Sequence, residues 1–294
     1  MSTPTHTGVR SAAVRRGGAA RRPSGPDAVR YAVLVLMFLV LAGPLLWQLS
    51  LSVKGPGDDI YASPPQLLPS DPTFEHYVEV TQRLPLVRYF VNSLVVAVMV
   101  VAGNVVGATL AGYALGRLRF RGRGAAAMVF VAALLVPIET VIIAQFLLVR
   151  SLNLHDTLVG VALPGLVAAL NVLLMRNAFL AIPRELEEAA VIDGANAWRR
   201  FTHVCLPQVK GMISVVVIFS FMGAWNDFLW PLIVLSDQQS YTLTVGLNHL
   251  RGTFVSDPRL IAAGTIIALV PIVVFFVALQ RFFFRGLESG GIKG

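Results

Sequence analysis

Side chains with catalytic or ligand-binding potential are few in this chain, and they are scattered. Two acids, Glu139 and Asp227, fall inside long apolar stretches, and Asp227 directly follows Trp225 and Asn226. A carboxyl and an amide beside an aromatic face suit polyhydroxylated ligands, which makes Trp225, Asn226, Asp227 and Glu139 the candidates for a solute pathway. Pairing between helices is the plainer role for both acids. Gly55-Pro56-Gly57-Asp58 fits the G-x-G-D pattern of aspartyl proteases that work inside membranes, whose chemistry needs a second aspartate to share a proton. It lies in a polar stretch with proline, and no Tyr-Asp partner occurs elsewhere. There is no G-x-S-x-G, H-E-x-x-H or Cys/His dyad. None of the three lysines, Lys54, Lys210 and Lys293, sits in a G-x-x-x-x-G-K-S/T phosphate loop. A single cysteine, Cys205, excludes an internal disulfide, and the five histidines include no pair at ligand spacing, so no metal is expected. These features predict that the chain is not an enzyme and holds no cofactor of its own.

The frame around those residues is set by hydrophobicity. Of 294 residues, 55% are apolar and 14% charged, with a net charge of +8; an ordinary soluble domain carries roughly 25% charge. Six nearly uncharged windows of membrane length occur at 31–53, 91–115, 125–148, 157–177, 211–235 and 260–284. They predict an all-α polytopic membrane protein with six transmembrane helices, helical throughout each window because lipid offers a bare amide no partner. Counted on alternate sides, Lys and Arg split 18 to 6, which predicts both termini in the cytoplasm. Membrane lipid, not nucleic acid, is then the partner of the basic residues. Residues 1–30, rich in Gly, Ser, Pro and Arg, read as a disordered basic tail, and 31–294 as the transmembrane domain. Arg15-Arg16 is not an export signal, since the apolar run begins fifteen residues later and lacks a cleavage site.

Within the windows, Gly103 with Gly107 and Gly112 with Gly116 give one helix two small-residue pairs, which lets a neighbouring backbone approach closely. Pro44, Pro137, Pro164 and Pro271 are expected to kink their spans.

The stretch 178–210 is too polar for lipid and too regular for a plain connection. It reads as two short helices. Pro183 suits a first helical position, and Glu185, Glu187 and Glu188 put negative charge where the helix dipole favours it. Leu186, Ala189 and Ala190 form one apolar face, and Gly194 is placed to end the helix in a left-handed conformation. Asn196 caps the second helix, Trp198, Phe201 and Val204 make its apolar stripe, and Leu206-Pro207 stops it. Periodicity alone is equally satisfied by two amphipathic helices lying on the inner membrane surface.

The order Glu188-Ala189-Ala190, then Gly194, then Val204-Cys205-Leu206-Pro207 resembles the cytoplasmic E-A-A loop of ABC importer permeases, with Val204 where that pattern has Ile. The wider stretch from Ile182 to Ala195, together with Ala111-Gly112-Tyr113-Ala114-Leu115, Arg117, Arg119-Phe120, Trp225-Asn226-Asp227-Phe228-Leu229, Gln280-Arg281 and the end from Gly286 to Gly294, is similar to the smaller membrane subunit of maltose-type importers. The family more often has Glu at the position of Asp227. The similarity covers about residues 85 to 294. It implies a type I ABC importer permease fold with its core at about 88–284, in a bacterial inner membrane.

It also implies that the 178–210 loop docks into a groove on a cytoplasmic ATPase. Glu185, Glu187, Glu188, Ala189, Ala190, Asp193, Gly194, Leu206 and Pro207 would carry that coupling. Glu188 would meet a basic group, and the alanines would permit close approach. The implied partners are a second permease forming a hetero-dimer, an ATPase dimer that binds the ATP, and an extracytoplasmic solute-binding protein. The implied activity is ATP-driven, binding-protein-dependent import of a sugar or oligosaccharide. Glycerol phosphate or another polar solute is the alternative. A secondary transporter is disfavoured because no internal repeat is evident.

Overall fold

The computed structural model describes residues 25–250 and 257–290, so most of the predicted tail, 1–24, lies outside the described residues. The chain divides after Leu46 into two compact units. The described part of the first is helix α1 (Gly25–Ser52), which continues into the second and keeps Pro44 within an unbroken helix. Residues 25–30, expected as tail, are already helical.

In the second unit, α2 (Glu75–Arg83) follows an irregular loop in which the Asp58 carboxylate accepts the backbone N–H groups of Ser70 at 2.8 Å and Gly55 at 3.1 Å. Those bonds, the one from Ser70 foremost, hold its pKa below the usual value. The G-x-G-D motif is thus a loop staple.

Next comes α3 (Leu86–Arg117), whose 32 residues make it long and apolar enough to cross a membrane. After it come α4 (Arg123–Leu135), α5 (Ile138–Ser151), α6 (Leu158–Ala162) with a 3-10 turn at Leu163–Gly165, and α7 (Ala169–Leu180). The glycine row of α3 is where α7 and the turn before it lie. A Cβ on Gly103 would stand 2.7 Å from the Leu166 carbonyl oxygen, and one on Gly112 would stand 2.5 Å from Met175 Cβ. One on Gly116 would be 3.0 Å from Phe179 Cβ. The small-residue pairs therefore set the distance between two spans, as the sequence predicts.

Among the described residues, three helices are long and apolar enough to cross a bilayer alone, at Val29–Ser52, Leu86–Arg117 and Pro258–Gln280, and the number rises to six if each bent pair is one span. The expectation of continuous helix through every window is corrected at three places. Between α4 and α5 the chain turns by 106°, because Pro137 lacks an N–H and pushes Val136 into extended backbone. Between the Leu163–Gly165 turn and α7 the bend is 44°. In the fifth window, α11 (Lys210–Asn226) stops at Asp227 and α12 (Leu229–Val234) restarts; α8 (Arg184–Ile192), α9 (Ala197–Arg199) and α10 (Leu206–Gln208) precede it. Helices α13 (Leu243–Asn248) and α14 (Pro258–Gly290) complete the unit, Pro271 remaining inside an unbroken α14.

Non-helical backbone at membrane depth needs partners, and side chains supply them at the breaks before α7 and after α11. Asn104 on α3, 1% exposed, serves the break before α7 from both sides: its Nδ2 donates to the Gly165 carbonyl at 2.7 Å, and its Oδ1 accepts the Ala168 N–H at 2.8 Å. At the break after α11, the Thr244 hydroxyl donates to the Asp227 carbonyl at 2.8 Å. Asp227 Oδ1 accepts the Trp230 N–H at 3.4 Å, opening α12.

Candidate functional site

The loop 178–210 has the two-helix form expected, with a different division of labour among its side chains. Pro183 is the extended residue that precedes α8 instead of its first helical position. Helix α8 ends through Gly194, whose φ of +76° lies in the left-handed region, and through the Ala195 N–H donating to Ala190 O at 2.9 Å. Asn196 then caps α9, its Oδ1 accepting the Arg199 N–H at 2.9 Å.

Leu206-Pro207 does not stop the second helix. The chain passes from α9 through a π-helical turn, Arg200–Cys205, into α10, and breaks at Val209 with a 75° bend into α11. Pro207 has no N–H for the carbonyl four residues back, and the wider turn ahead of it accommodates its ring. That turn changes which side chains face inward. Phe201, Cys205 and Val209 are buried with Tyr113, Met175 and Phe179, while Val204 is half-buried and Trp198 is 65% exposed. The expected stripe of Trp198, Phe201 and Val204 is corrected accordingly. Burial beside the Glu187 carboxylate pushes the Cys205 thiol up to about 12, so it stays neutral and unreactive.

Of the acids, Glu187 turns inward and is ion-paired with Arg117 at the end of α3, both side chains largely buried. Arg117 Nη1 also donates to the Ile182 carbonyl at 3.0 Å. Glu185, Glu188 and Asp193 are exposed, as are Ala189 and Gly194, and Ala190 is half-buried. The predicted apolar face of α8 is not packed on its own chain: Leu186 is exposed, and Ile192 beyond it is 87% exposed. Leu206 is half-buried and Pro207 exposed. Arg117, Arg119, Arg123 and Arg184 line a cleft of about 340 Å³ with Glu187 and Glu188, so the basic loop after α3 and the two-helix loop share one end of the unit.

The four residues expected along a solute pathway are not brought together. Trp225 is buried, its ring 5.4 Å from Phe221 and its Nε1 donating to Ala268 O at 3.3 Å. Asn226 is exposed and donates to Met222 O within its own helix. Glu139, at the start of α5, is exposed and does not line the cavity beside Asp227, although its neighbour Ile138 does. Asp227 alone borders a cavity of about 280 Å³, with Gln145, Asn171, Ser220 and Trp230 in its wall. Asn104, Asn171 and Ser220 were missed by motif reading, although amides within apolar windows are themselves a signal.

Residues 103–289 match the family described as binding-protein-dependent transport system inner membrane component. The galactooligosaccharides transport system permease protein of Bacillus subtilis is 34% identical over 271 residues, covering 90% of this chain and 94% of that protein. The maltodextrin transport system permease protein of the same organism is 34% identical over 230 residues, covering 76% and 81%. Among solved structures, a bacterial ABC transporter involved in the import of the acidic polysaccharide alginate superposes with a TM-score of 0.77 at 24% identity, covering 88% of this chain and 98% of that one. The fold is that of a type I ABC importer permease. With a matching span of well over half its length and full-length relatives among transport permeases, the chain belongs to the binding-protein-dependent transport system inner membrane component family and is a membrane permease, not an enzyme.

Proposed function

We propose that this chain is the smaller permease of an ATP-driven importer for a sugar or oligosaccharide, and that the 178–210 loop couples it to a separate ATPase dimer that binds the ATP. The observation that carries the coupling is the exposed face of the loop. Leu186, Ile192 and Trp198 stand in solvent beside Glu185, Glu188 and Asp193, on helices rooted by the Arg117–Glu187 pair and by buried Phe201 and Cys205. A rigid, apolar, acid-rimmed surface at the end of the spans has the composition of a docking interface. The substrates for which the relatives are named, galactooligosaccharides and maltodextrin, support a carbohydrate cargo. The 18-to-6 charge split supports an orientation with both termini and this loop in the cytoplasm. A second permease and an extracytoplasmic solute-binding protein complete the complex.

The test is capture of the ATPase. The wild-type chain in detergent should co-purify with an ABC ATPase dimer, and a double variant Ile192→Asp, Trp198→Asp should insert normally and lose it. Full retention by the double variant would overturn the docking assignment.

A further inference from the structure

Donor and acceptor accounting around Asn104 leads to one side chain left over. Asn104 Oδ1 is fixed as an acceptor, because the Ala168 N–H that meets it at 2.8 Å can only donate. Its Nδ2 is committed to the carbonyls of Gly165 and Val100. Asn171 on α7 must therefore present its amide nitrogen to Asn104 Oδ1, at 2.9 Å, and the same nitrogen reaches Ser220 Oγ on α11 at 3.0 Å. The orientation of Asn171 follows from the chain of partners. Its Oδ1 is thereby turned away from the network, and among the described residues no donor reaches it, although Asn171 is only 3% exposed.

A buried acceptor without a donor costs free energy, and a donor brought to it by a solute offsets that cost. Asn171 lines the cavity of about 280 Å³ that also holds Gln145, Ser220, the Asp227 carboxyl and Trp230. The mouth of that cavity carries Ile138, Leu170 and Phe219, each at least 42% exposed. The cavity therefore joins an acceptor-rich wall to an open apolar rim on the outside of this chain.

We infer that this cavity is a hydroxyl-accepting subsite on the solute path, in which Asn171 Oδ1 and the Asp227 carboxyl accept hydrogen bonds from a polyhydroxylated solute and Trp230 supplies aromatic surface. The inference rests on the carbohydrate-import reading and deepens it by assigning solute contact to α7, α12 and the break between α11 and α12 of this subunit. Gln145 presents both a donor and an acceptor at the same wall. An acceptor set of this kind discriminates by hydroxyl, since a solute lacking the matching group leaves Asn171 unpaired.

The experiment uses the complete importer reconstituted in vesicles, with both permeases, the ATPase and the binding protein. Uptake of maltotriose, galactobiose and diacetylchitobiose is screened first; if the wild type imports none of them, the carbohydrate reading falls and the subsite falls with it. With the imported sugar, its monodeoxy analogues are compared at saturating binding protein. Removal of one hydroxyl should slow wild-type import about tenfold, and Asn171→Leu should import parent and analogue at equal, reduced rates. Gln145→Leu and Ser220→Ala, which spare the Asn104 network more fully, should narrow the same ratio, with assembly of each complex verified by gel filtration. An unchanged ratio in assembled Gln145→Leu and Ser220→Ala complexes, in a wild type that does import sugar, would overturn the subsite alone.

Discussion

Arg117, the last residue of α3, is ion-paired with Glu187 on α8, seventy residues further along the chain. The pair ties the end of a membrane-spanning helix directly to the two-helix loop, so a force applied to the loop reaches the span without passing through the connection at Ala181–Pro183. Arg117→Met should leave an unpartnered, largely buried carboxylate, an effect of about 2–5 kcal/mol. The expected outcome is faster proteolytic cleavage between Arg184 and Arg200 and at least a tenfold loss of coupled uptake, with normal insertion. Pulse proteolysis of purified protein reads the first, and vesicle uptake the second.

Gly194→Leu forces a branched side chain into a φ of +76°, at a cost of about 1–2 kcal/mol, and redirects α9. Glu188→Lys reverses a charge on the exposed face of α8. Both variants should reach the membrane, lose co-purifying ATPase and carry little substrate. Helices that merely lay on the bilayer would accept the lysine, with tighter adhesion to anionic lipid.

At Gly112 an added methyl would meet Met175 Cβ at 2.5 Å and the Arg176 nitrogen at 2.8 Å, which only movement of α7 relieves. Gly112→Ala should lower thermal stability by about 1–3 kcal/mol. Gly124→Ala, where nothing lies within 4 Å, should not. Thermal unfolding followed by tryptophan fluorescence in detergent distinguishes them.

Asp58 has its folded pKa held below the ordinary carboxylate value, so its contribution to the 54–73 loop is present above about pH 4 and is lost as the pH falls through the folded value. Acidification from pH 6 to 3 should speed backbone hydrogen exchange in the 54–73 loop of the wild type beyond the intrinsic pH dependence of exchange. In Asp58→Asn the loop should be unprotected at both ends of that range, because one of the two carboxylate oxygens that accept Ser70 and Gly55 becomes an amide donor facing a backbone N–H.

What the sequence made legible was local. The left-handed turn at Gly194 and the cap at Asn196 are each decided by one residue type and its immediate neighbours, and both are in place. The close approach of two spans at Gly103–Gly116 was readable for the same reason, since absence of a side chain has one steric meaning. The inward turn of Glu187 was not readable, because it depends on a guanidinium seventy residues away. Trp225, Asn226 and Asp227 are adjacent in sequence yet point to three different environments, because the helix ends between them and its rotation separates what the chain joins. The π-helical turn at Arg200–Cys205 exchanged one inward stripe for another through a shift in register that no heptad-like pattern encodes.

The double engagement of Asn104 restricts any effort to retarget this permease to a new solute. Aspartate at that position could not donate to the Gly165 carbonyl, leucine could do neither job, and glutamine is a methylene too long for a site 1% exposed. Position 104 is a fixed keystone, whereas Gln145 and Ser220 on the same cavity wall hold no backbone break together. A mutant library aimed at altered cargo should randomise 145 and 220 and leave 104 untouched, and clones that change 104 should be found among the aggregated material.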